Sequence, residues 1–466
     1  LEVVGIILSL FLLMFFAYRG FSVILFAPVF ALLAASLSGL PLMPAYTELF
    51  MAKAVTYIKS FFPVFLLGAV FGKIMEDTGL AKGIAHTIMK SLGKERAILA
   101  VVLAGAALTY GGVSLFVVVF AVYPFASALF KEADIPKRLL PAAIALGAFT
   151  ATMDCLPGTP QIQNLIPTNF FGTNIYAAPI LGLIGGVLIF TLGTIWLERR
   201  RKQAADRGEG YGAHTLNEPE PSSAATKLPS FKIAILPLLA VLVINYIMTQ
   251  VFTWDPNMLE PFKAMKLPLT AASIKNVISI WSLIIALVCG ILLAIALGFN
   301  NLGKGILAKS LNAGAIGSLL AIMNTASEVG YGNVISSLSG FKNISNALMS
   351  IKVGGSPLVS EAVTVNILAG VTGSASGGMS IALDLMAKDW LAWANSIGMS
   401  PEILHRVASM ASGGMDTLPH NGAVITLLAV CGMTHKDSYG DIFVLTAIKT
   451  LMVFVIILIH TTTGIL

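Results

Sequence analysis

Two stretches carry acids where acids are costly. Met153-Asp154-Cys155-Leu156-Pro157-Gly158-Thr159-Pro160 and Met415-Asp416-Thr417-Leu418-Pro419-His420-Asn421-Gly422 each set a carboxyl, a proline and a flexible residue into apolar sequence. Such a run starts as helix, breaks, and starts again. An acid inside a membrane span is a functional candidate by default, since it must pair, take a proton or hold a cation. Asp154 and Asp416 fall at the carboxyl ends of half-helices, where the dipole opposes negative charge. Both read as proton- or cation-coupling groups; the alternative is that each only caps the following half-helix. Two further interruptions, Tyr110-Gly111-Gly112 and Thr372–Gly378, carry glycines and hydroxyls.

The breaks also expose helix N-termini, whose free N–H groups and positive dipole ends suit an anion. Thr159-Pro160 reads as an N-cap followed by proline at the first helical position. Asn421 caps the matching half-helix, and Ser114 and Ser380 fall at the starts of returning hairpin arms. Four such ends converging would hold a carboxylate without a buried lysine or arginine, and no arginine falls inside an expected span. A small, singly charged organic anion fits this better than a tricarboxylate. Its hydroxyls would meet Thr109, Tyr110, Ser114, Thr159, Gln161, Thr372, Ser374, Ser376, His420 and Asn421. The glycines of the breaks, Gly111, Gly112, Gly158, Gly377, Gly378 and Gly422, complete the expected substrate set. A Ser or Thr in a membrane helix more often bonds its own i−4 carbonyl, so each hydroxyl alone is weak evidence. Glu76, Asp77, Glu328 and Glu361 read as structural groups nearer the interfaces.

The frame around these residues is a membrane protein. Of 466 residues, 56% are hydrophobic and 11% charged, against about 25% charged in soluble domains. Leu1–Ala17, Phe21–Leu40, Ile175–Leu197, Ile274–Leu297 and Ile442–His460 approach or exceed the roughly 20 residues a bilayer crossing needs. The net charge of +6 reflects basic loops on one membrane side rather than a nucleic-acid surface. Cys155, Cys289 and Cys431 are far apart, which indicates neither a disulfide framework nor a metal site. No cofactor is expected beyond a coupling ion, H+ with Na+ as the alternative.

Arg199-Arg200-Arg201-Lys202 opens a polar linker, residues 198–231, expected to be cytoplasmic and mobile near Glu218–Ser223. It separates a first repeat (1–197) from a second (232–466). Each offers about five crossings and one broken hairpin, Glu95–Phe130 in the first and Glu361–Trp390 in the second. The flanking charges of the first hairpin favour a re-entrant loop, with two full crossings as the alternative. An odd number of crossings turns the second repeat upside down, an inverted repeat with broken helices at the midplane. Matched landmarks support duplication: Asp77-Thr78-Gly79 with Glu328-Val329-Gly330, Gly111-Gly112 with Gly377-Gly378, Pro136 with Pro401. Lysine and arginine placement, Lys304, Lys352 and Arg406 included, puts the linker inside and both termini in the periplasm. The fold expected is therefore all-α and polytopic.

The runs Tyr110-Gly111-Gly112-Val113-Ser114-Leu115-Phe116-Val117-Val118-Val119-Phe120 and Leu418-Pro419-His420-Asn421-Gly422-Ala423 resemble the gluconate permease (GntP) family of the ion transporter superfamily. The run from Asp154 to Phe171 looks most like the branch labelled 3-hydroxybutyrate permease. The resemblance implies a bacterial inner-membrane symporter, importing a small hydroxy-monocarboxylate such as 3-hydroxybutyrate or gluconate with a proton. The wider superfamily implies a homodimer of elevator type. Residues 1–76 and 232–327 would be scaffold, 77–197 and 328–466 the moving transport part. Hydroxyl-rich breaks keep sodium coupling open. An anion channel would use the breaks but not the symmetry. An intramembrane aspartyl enzyme would need Asp154 and Asp416 at short range, and no water-activating partner accompanies them.

Overall fold

The computed structural model describes residues 2–19, 21–218, 228–267, 269, 271, 273–302, 305–351, 353–419 and 421–466. His420, Lys304, Lys352 and residues 219–223 of the expected mobile stretch lie outside them. Leaving aside single-turn pieces, the first half forms α1 (Glu2–Tyr18), α2 (Val23–Leu37), α3 (Leu42–Asp77), α4 (Leu80–Leu92), α5 (Ala97–Tyr110), α6 (Leu115–Glu132), α7 (Leu140–Ala148), α8 (Ile162–Phe171) and α9 (Pro179–Asp206). The second forms α10 (Phe231–Val251), α11 (Ile278–Asn301), α12 (Ile306–Ser337), α13 (Phe341–Met349), α14 (Leu358–Thr372), α15 (Ala375–Ser396), α16 (Pro401–Ser412), α17 (Gly422–Val430) and α18 (His435–Thr463). The chain is thus all-helical among the described residues. Among the described residues six helices, α3, α9, α10, α11, α12 and α18, are long and apolar enough to cross a membrane.

The halves match element by element, and they pack reciprocally. α3 lies against α11, and its counterpart α12 lies against α2. α8 lies against the returning hairpin arm α15, and its counterpart α17 lies against α6. α3 and α12 pack on each other, as do α9 and α18. Exposed apolar side chains such as Phe11, Leu25, Val187, Ile195, Val243 and Leu458 line the outer helices. Aqueous surfaces avoid large patches of that kind, and lipid does not. The outgoing hairpin arms, α5 and α14, have 14 and 15 residues. At 1.5 Å per residue they reach only about 70–75% of a 30 Å hydrocarbon core.

Three features depart from the expectation. α4 and α13 are short amphipathic helices, each following a long span; periodicity over so few turns competes poorly with the surrounding apolar signal. The 327/328 boundary between scaffold and transport parts falls inside the continuous helix α12. Glu218 is not free: it accepts from Lys137 Nζ at 2.5 Å.

Residues 207–218 form a strap over one end of the bundle. Tyr211 N–H donates to Asp134 Oδ1 (2.9 Å), Tyr123 Oη to Asn217 O (2.7 Å), and Asn217 Nδ2 to Ala429 O (2.7 Å). Arg138 grips Glu209 through Nε and Nη2 at 2.6 and 2.9 Å. That hydrogen bonding holds the Glu209 carboxyl below its ordinary value. Asp441 of α18 accepts from Arg200 Nε (2.9 Å) and Trp196 Nε1 (3.1 Å) of α9. The strap and these bonds tie hairpin 1 (α5–α6; hairpin 2 is α14–α15), α7, α9, α17 and α18 together across the two halves.

Candidate functional site

A broken helix in lipid leaves backbone groups that cost several kcal/mol each if unpaired. The first break satisfies them locally. α7 ends at Ala148, and one turn, Ala151–Asp154, precedes the loop into α8. Thr150 Oγ1 donates to Leu146 O (2.5 Å) and Thr152 Oγ1 to Gly147 O (2.8 Å). Thr159 Oγ1 donates to Thr152 O at 2.6 Å. Thr159-Pro160 therefore braces the loop and does not cap a helix; Gln161 occupies the N-cap position of α8. Gln161 Nε2 reaches back to Thr109 O at 2.8 Å, and Tyr110 Oη donates to Pro157 O at 2.8 Å. These bonds seat the tip of hairpin 1 on the first break. Among the tip residues, the Thr109 hydroxyl is buried without a hydrogen-bond partner. Gly112 lies beside Pro160 at φ +94°, and Gly111 packs against Leu238 of α10. Ser114 stands at the N-cap position of α6 without capping it through its side chain.

The second break is capped as the sequence suggests. Asn421 Oδ1 accepts from Ala423 N and Val424 N at 2.7 and 3.2 Å, and its Nδ2 donates to Gly373 O at 2.7 Å. The tip of hairpin 2 thus seats on the second break, mirroring the first. The tip itself is displaced from expectation. Ser374 caps α15, accepting from Gly377 N at 3.1 Å. Gly377 and Gly378 therefore lie inside α15, and the turn matching Gly111-Gly112 is Gly373-Ser374. Ser380, expected to open the arm, sits in its second turn and donates to Ser376 O at 2.6 Å. Thr372 Oγ1 donates to Leu368 O at 2.9 Å, the i−4 back-bond of an ordinary membrane threonine. Gly422 opens α17 with space at its Cβ position, whereas Gly158 donates its N–H to Ile175 O at 2.9 Å.

The two breaks meet. Gly413, just past α16, lies so close to Asp154 Oδ2 that a Cβ there would overlap the carboxyl. Ser409 Oγ donates to Asp154 O at 2.7 Å. Two basic residues, neither assigned to the site from sequence, complete the junction. Arg406 of α16 is wholly buried. It donates to Ala177 O (2.7 Å from Nη2), Asn164 Oδ1 (3.1 Å) and Asp154 O (3.3 Å). Lys449 of α18 donates to Asp416 Oδ1 at 2.8 Å and to Phe149 O, at the first break, at 3.2 Å. So an arginine does lie within the apolar body, where none was expected inside a span. Two buried cations therefore stand at the junction. The signal for Lys449 was present, a lone base in the apolar run Ile442–His460. The signal for Arg406 was hidden by its nearness to Pro401, which reads as a span end.

The two acids differ. Asp416 is paired, while Asp154 Oδ2 has no hydrogen-bond partner. Two acids read as interfacial, Glu328 and Glu361, are buried at 2% and 0% exposure. Beside this network, an open cleft of about 410 Å³ is lined by Thr173, Asn174, Lys275 and Glu402, and by none of the expected site residues. Chemically, the junction offers one ammonium held between an acid and a carbonyl, a fixed guanidinium, and two hairpin tips.

Comparison with known proteins agrees with this architecture. Residues 1–462 match the family model described as GntP family permease. The chain is 52% identical over 474 residues to the uncharacterized transporter YxjC of Bacillus subtilis (strain 168), covering 100% of both. Its structure is similar to the Alcanivorax borkumensis YdaH transporter, reported to have an unusual topology. The TM-score is 0.51, with 13% identity and coverage of 88% of this chain and 87% of that one.

Proposed function

Because the chain belongs to the GntP family of permeases, we propose that it is a symporter importing a small hydroxy-monocarboxylate, such as 3-hydroxybutyrate or gluconate, with a proton. The family, the transporter relative and the six long apolar helices make it a multi-pass membrane transporter. The observation that carries the finer reading is the Asp416–Lys449 pair, which spans the junction of two broken helices. An ammonium neutralised by an acid has little left for a carboxylate. A proton taken by Asp416 releases Lys449, whose charge then serves the incoming anion. Proton and anion binding thereby become one event, the requirement for symport. Around the tips, Thr109 with its unpartnered hydroxyl and the hydroxyls of Ser374 and Ser376 would meet the substrate's hydroxyl, while Gln161 and Asn421 hold the tips in place. Asp154, with its unpartnered oxygen, is the second candidate coupling group.

The matched order and reciprocal packing of the halves support an inverted repeat. In this reading α1–α3 and α10–α12 are the scaffold, and the strapped hairpins and broken helices move past it as an elevator. The setting is the bacterial inner membrane, as a homodimer with the linker cytoplasmic and the termini periplasmic. Sodium coupling is the second reading, favoured by the hydroxyls at hairpin 2. The test is accumulation of labelled 3-hydroxybutyrate or gluconate in proteoliposomes under an inward proton gradient. Saturable uptake that collapses with a protonophore is expected. Uptake indifferent to protons but dependent on a sodium gradient would transfer the coupling to sodium. Non-saturable flux without counterflow would indicate a channel.

A further inference from the structure

Glu328 lies outside the junction of the breaks, in the middle of α12. Its carboxyl is buried, and Oε2 has no hydrogen-bond partner. The oxygen lies so close to Gly377 in the first turn of α15 that a Cβ there would overlap it. The side chain of Ser374, cap of the same arm, lies beside the carboxyl. On the other side stands Tyr57 of α3, whose hydroxyl is also buried and lies beside Ser380 and Thr325. Thr325 Oγ1 and Ser376 Oγ close the cluster at 3.4 Å. The carboxyl therefore sits on the seam where α3 and α12 meet the tip of hairpin 2.

Among the described residues, no cation is paired with it. Lys53 of α3 and Asp384 of α15 are bound to each other. Tyr331, one turn along α12, hydrogen-bonds Ser9 of α1 at 2.8 Å. Glu48 near the start of α3, Lys309 at the start of α12 and Lys342 of α13 are exposed, and α2 carries no titratable side chain. A buried ion without a partner costs several kcal/mol, so the ionised form needs either a bound cation or access to water. A metal ion has little room there, because the Gly377 backbone packs against the free oxygen. That packing suits a proton on the oxygen.

We propose that Glu328 is a proton-binding site at the seam between hairpin 2 and the α3–α12 pair, protonated while the tip is docked and discharged when the tip leaves. The inference rests on the transport reading above and adds a second proton to it. One proton moving with a monocarboxylate anion carries no net charge. With a second proton on Glu328, each cycle moves one positive charge inward.

The experiment uses the full chain in proteoliposomes, with 3-hydroxybutyrate and gluconate as probes. Substrate-induced current and labelled counterflow are recorded for the unmodified protein, Glu328→Gln and Glu328→Asp. The unmodified protein should give an inward positive current. Glu328→Gln should lose most of it, at least about tenfold, while keeping counterflow, and Glu328→Asp should restore part. An electroneutral unmodified protein, or a Glu328→Gln current like the original, overturns the proposal. If Glu328→Gln does not transport at all, infrared difference spectra of the purified proteins across a pH step decide. A protonated-carboxyl band present in the unmodified protein, shifted in Glu328→Asp and missing in Glu328→Gln supports the site. A band that persists in Glu328→Gln, or is absent from the start, overturns it. If the unmodified protein transports neither acid, the transport reading fails for these substrates, and the infrared result alone judges Glu328.

Discussion

The two breaks begin from nearly the same residues and end in different electrostatic states. At the second, Asp416 is tied to Lys449, and that lysine also holds the backbone of the first. At the first, the Asp154 carboxyl has an oxygen without a partner, pressed on Gly413, while Arg406 takes the backbone carbonyl of Asp154 instead of its side chain. Both acids reach one junction. One has a resident counter-charge there, and the free oxygen of the other has no partner. The lesson is that symmetry of backbone does not carry over to symmetry of charge, and that the asymmetric partners, Lys449 and Arg406, define the two roles.

The largest effect should come from separating the paired acid from its base. Lys449→Met leaves Asp416 buried and unpaired, and removing one member of a buried pair costs about 3–5 kcal/mol. Thermal unfolding in detergent should show a large drop. Adding Asp416→Asn should recover much of it, because the orphaned charge disappears. No recovery in the double variant would mean that Lys449 is held by packing rather than charge.

Arg406→Lys should come next. The lysine keeps the charge but loses the fork that reaches Ala177, Asn164 and Asp154. A loss on the order of 2–3 kcal/mol is expected, since hydrogen bonds to charged groups contribute about 1.5–3 kcal/mol each and not all are lost. Wild-type stability would show that the first break needs only a positive charge.

Asp154→Asn should be milder. The carboxyl has no cation on its free oxygen, so stability should change by less than about 1 kcal/mol. An unfolding penalty as large as that of Lys449→Met would erase the asymmetry between the breaks.

The smallest effect belongs to the strap. Glu209 is partly exposed, so its pair with Arg138 contributes under about 1 kcal/mol. Its folded-state carboxyl lies below the ordinary value. That contribution is therefore complete above the ordinary carboxylate range and disappears as pH falls through the lowered one. Glu209→Gln should remove this slight acid sensitivity, measured as protease cleavage of residues 207–218 against pH. Cleavage with the same acid dependence in the variant would place the sensitivity elsewhere.

Much of the fold was legible in the chain, because proline, glycine and acid together inside an apolar run seldom survive in lipid unless the helix breaks there. The positions of both broken helices and the Asn421 cap follow from that. What stayed hidden has physical causes. Ser374 starts α15 early, and once a helix is capped it accepts Gly377-Gly378 without breaking. Thr159 resembles a cap by type, but the loop demands a donor to the Thr152 carbonyl more than a helix demands an acceptor. The burial of Glu328 and Glu361 depends on which helix covers them, and that is a long-range property no local pattern carries.

The central claim is that a proton on Asp416 frees Lys449 for the substrate's carboxylate. The most direct test compares Asp416→Asn with the unmodified protein in proteoliposomes, measuring counterflow and gradient-driven accumulation of the same labelled hydroxy acid from mildly acidic to mildly alkaline pH. The account predicts that Asp416→Asn retains counterflow, now nearly independent of pH, and loses most proton-driven accumulation. Accumulation with an unchanged pH profile in that variant would contradict it.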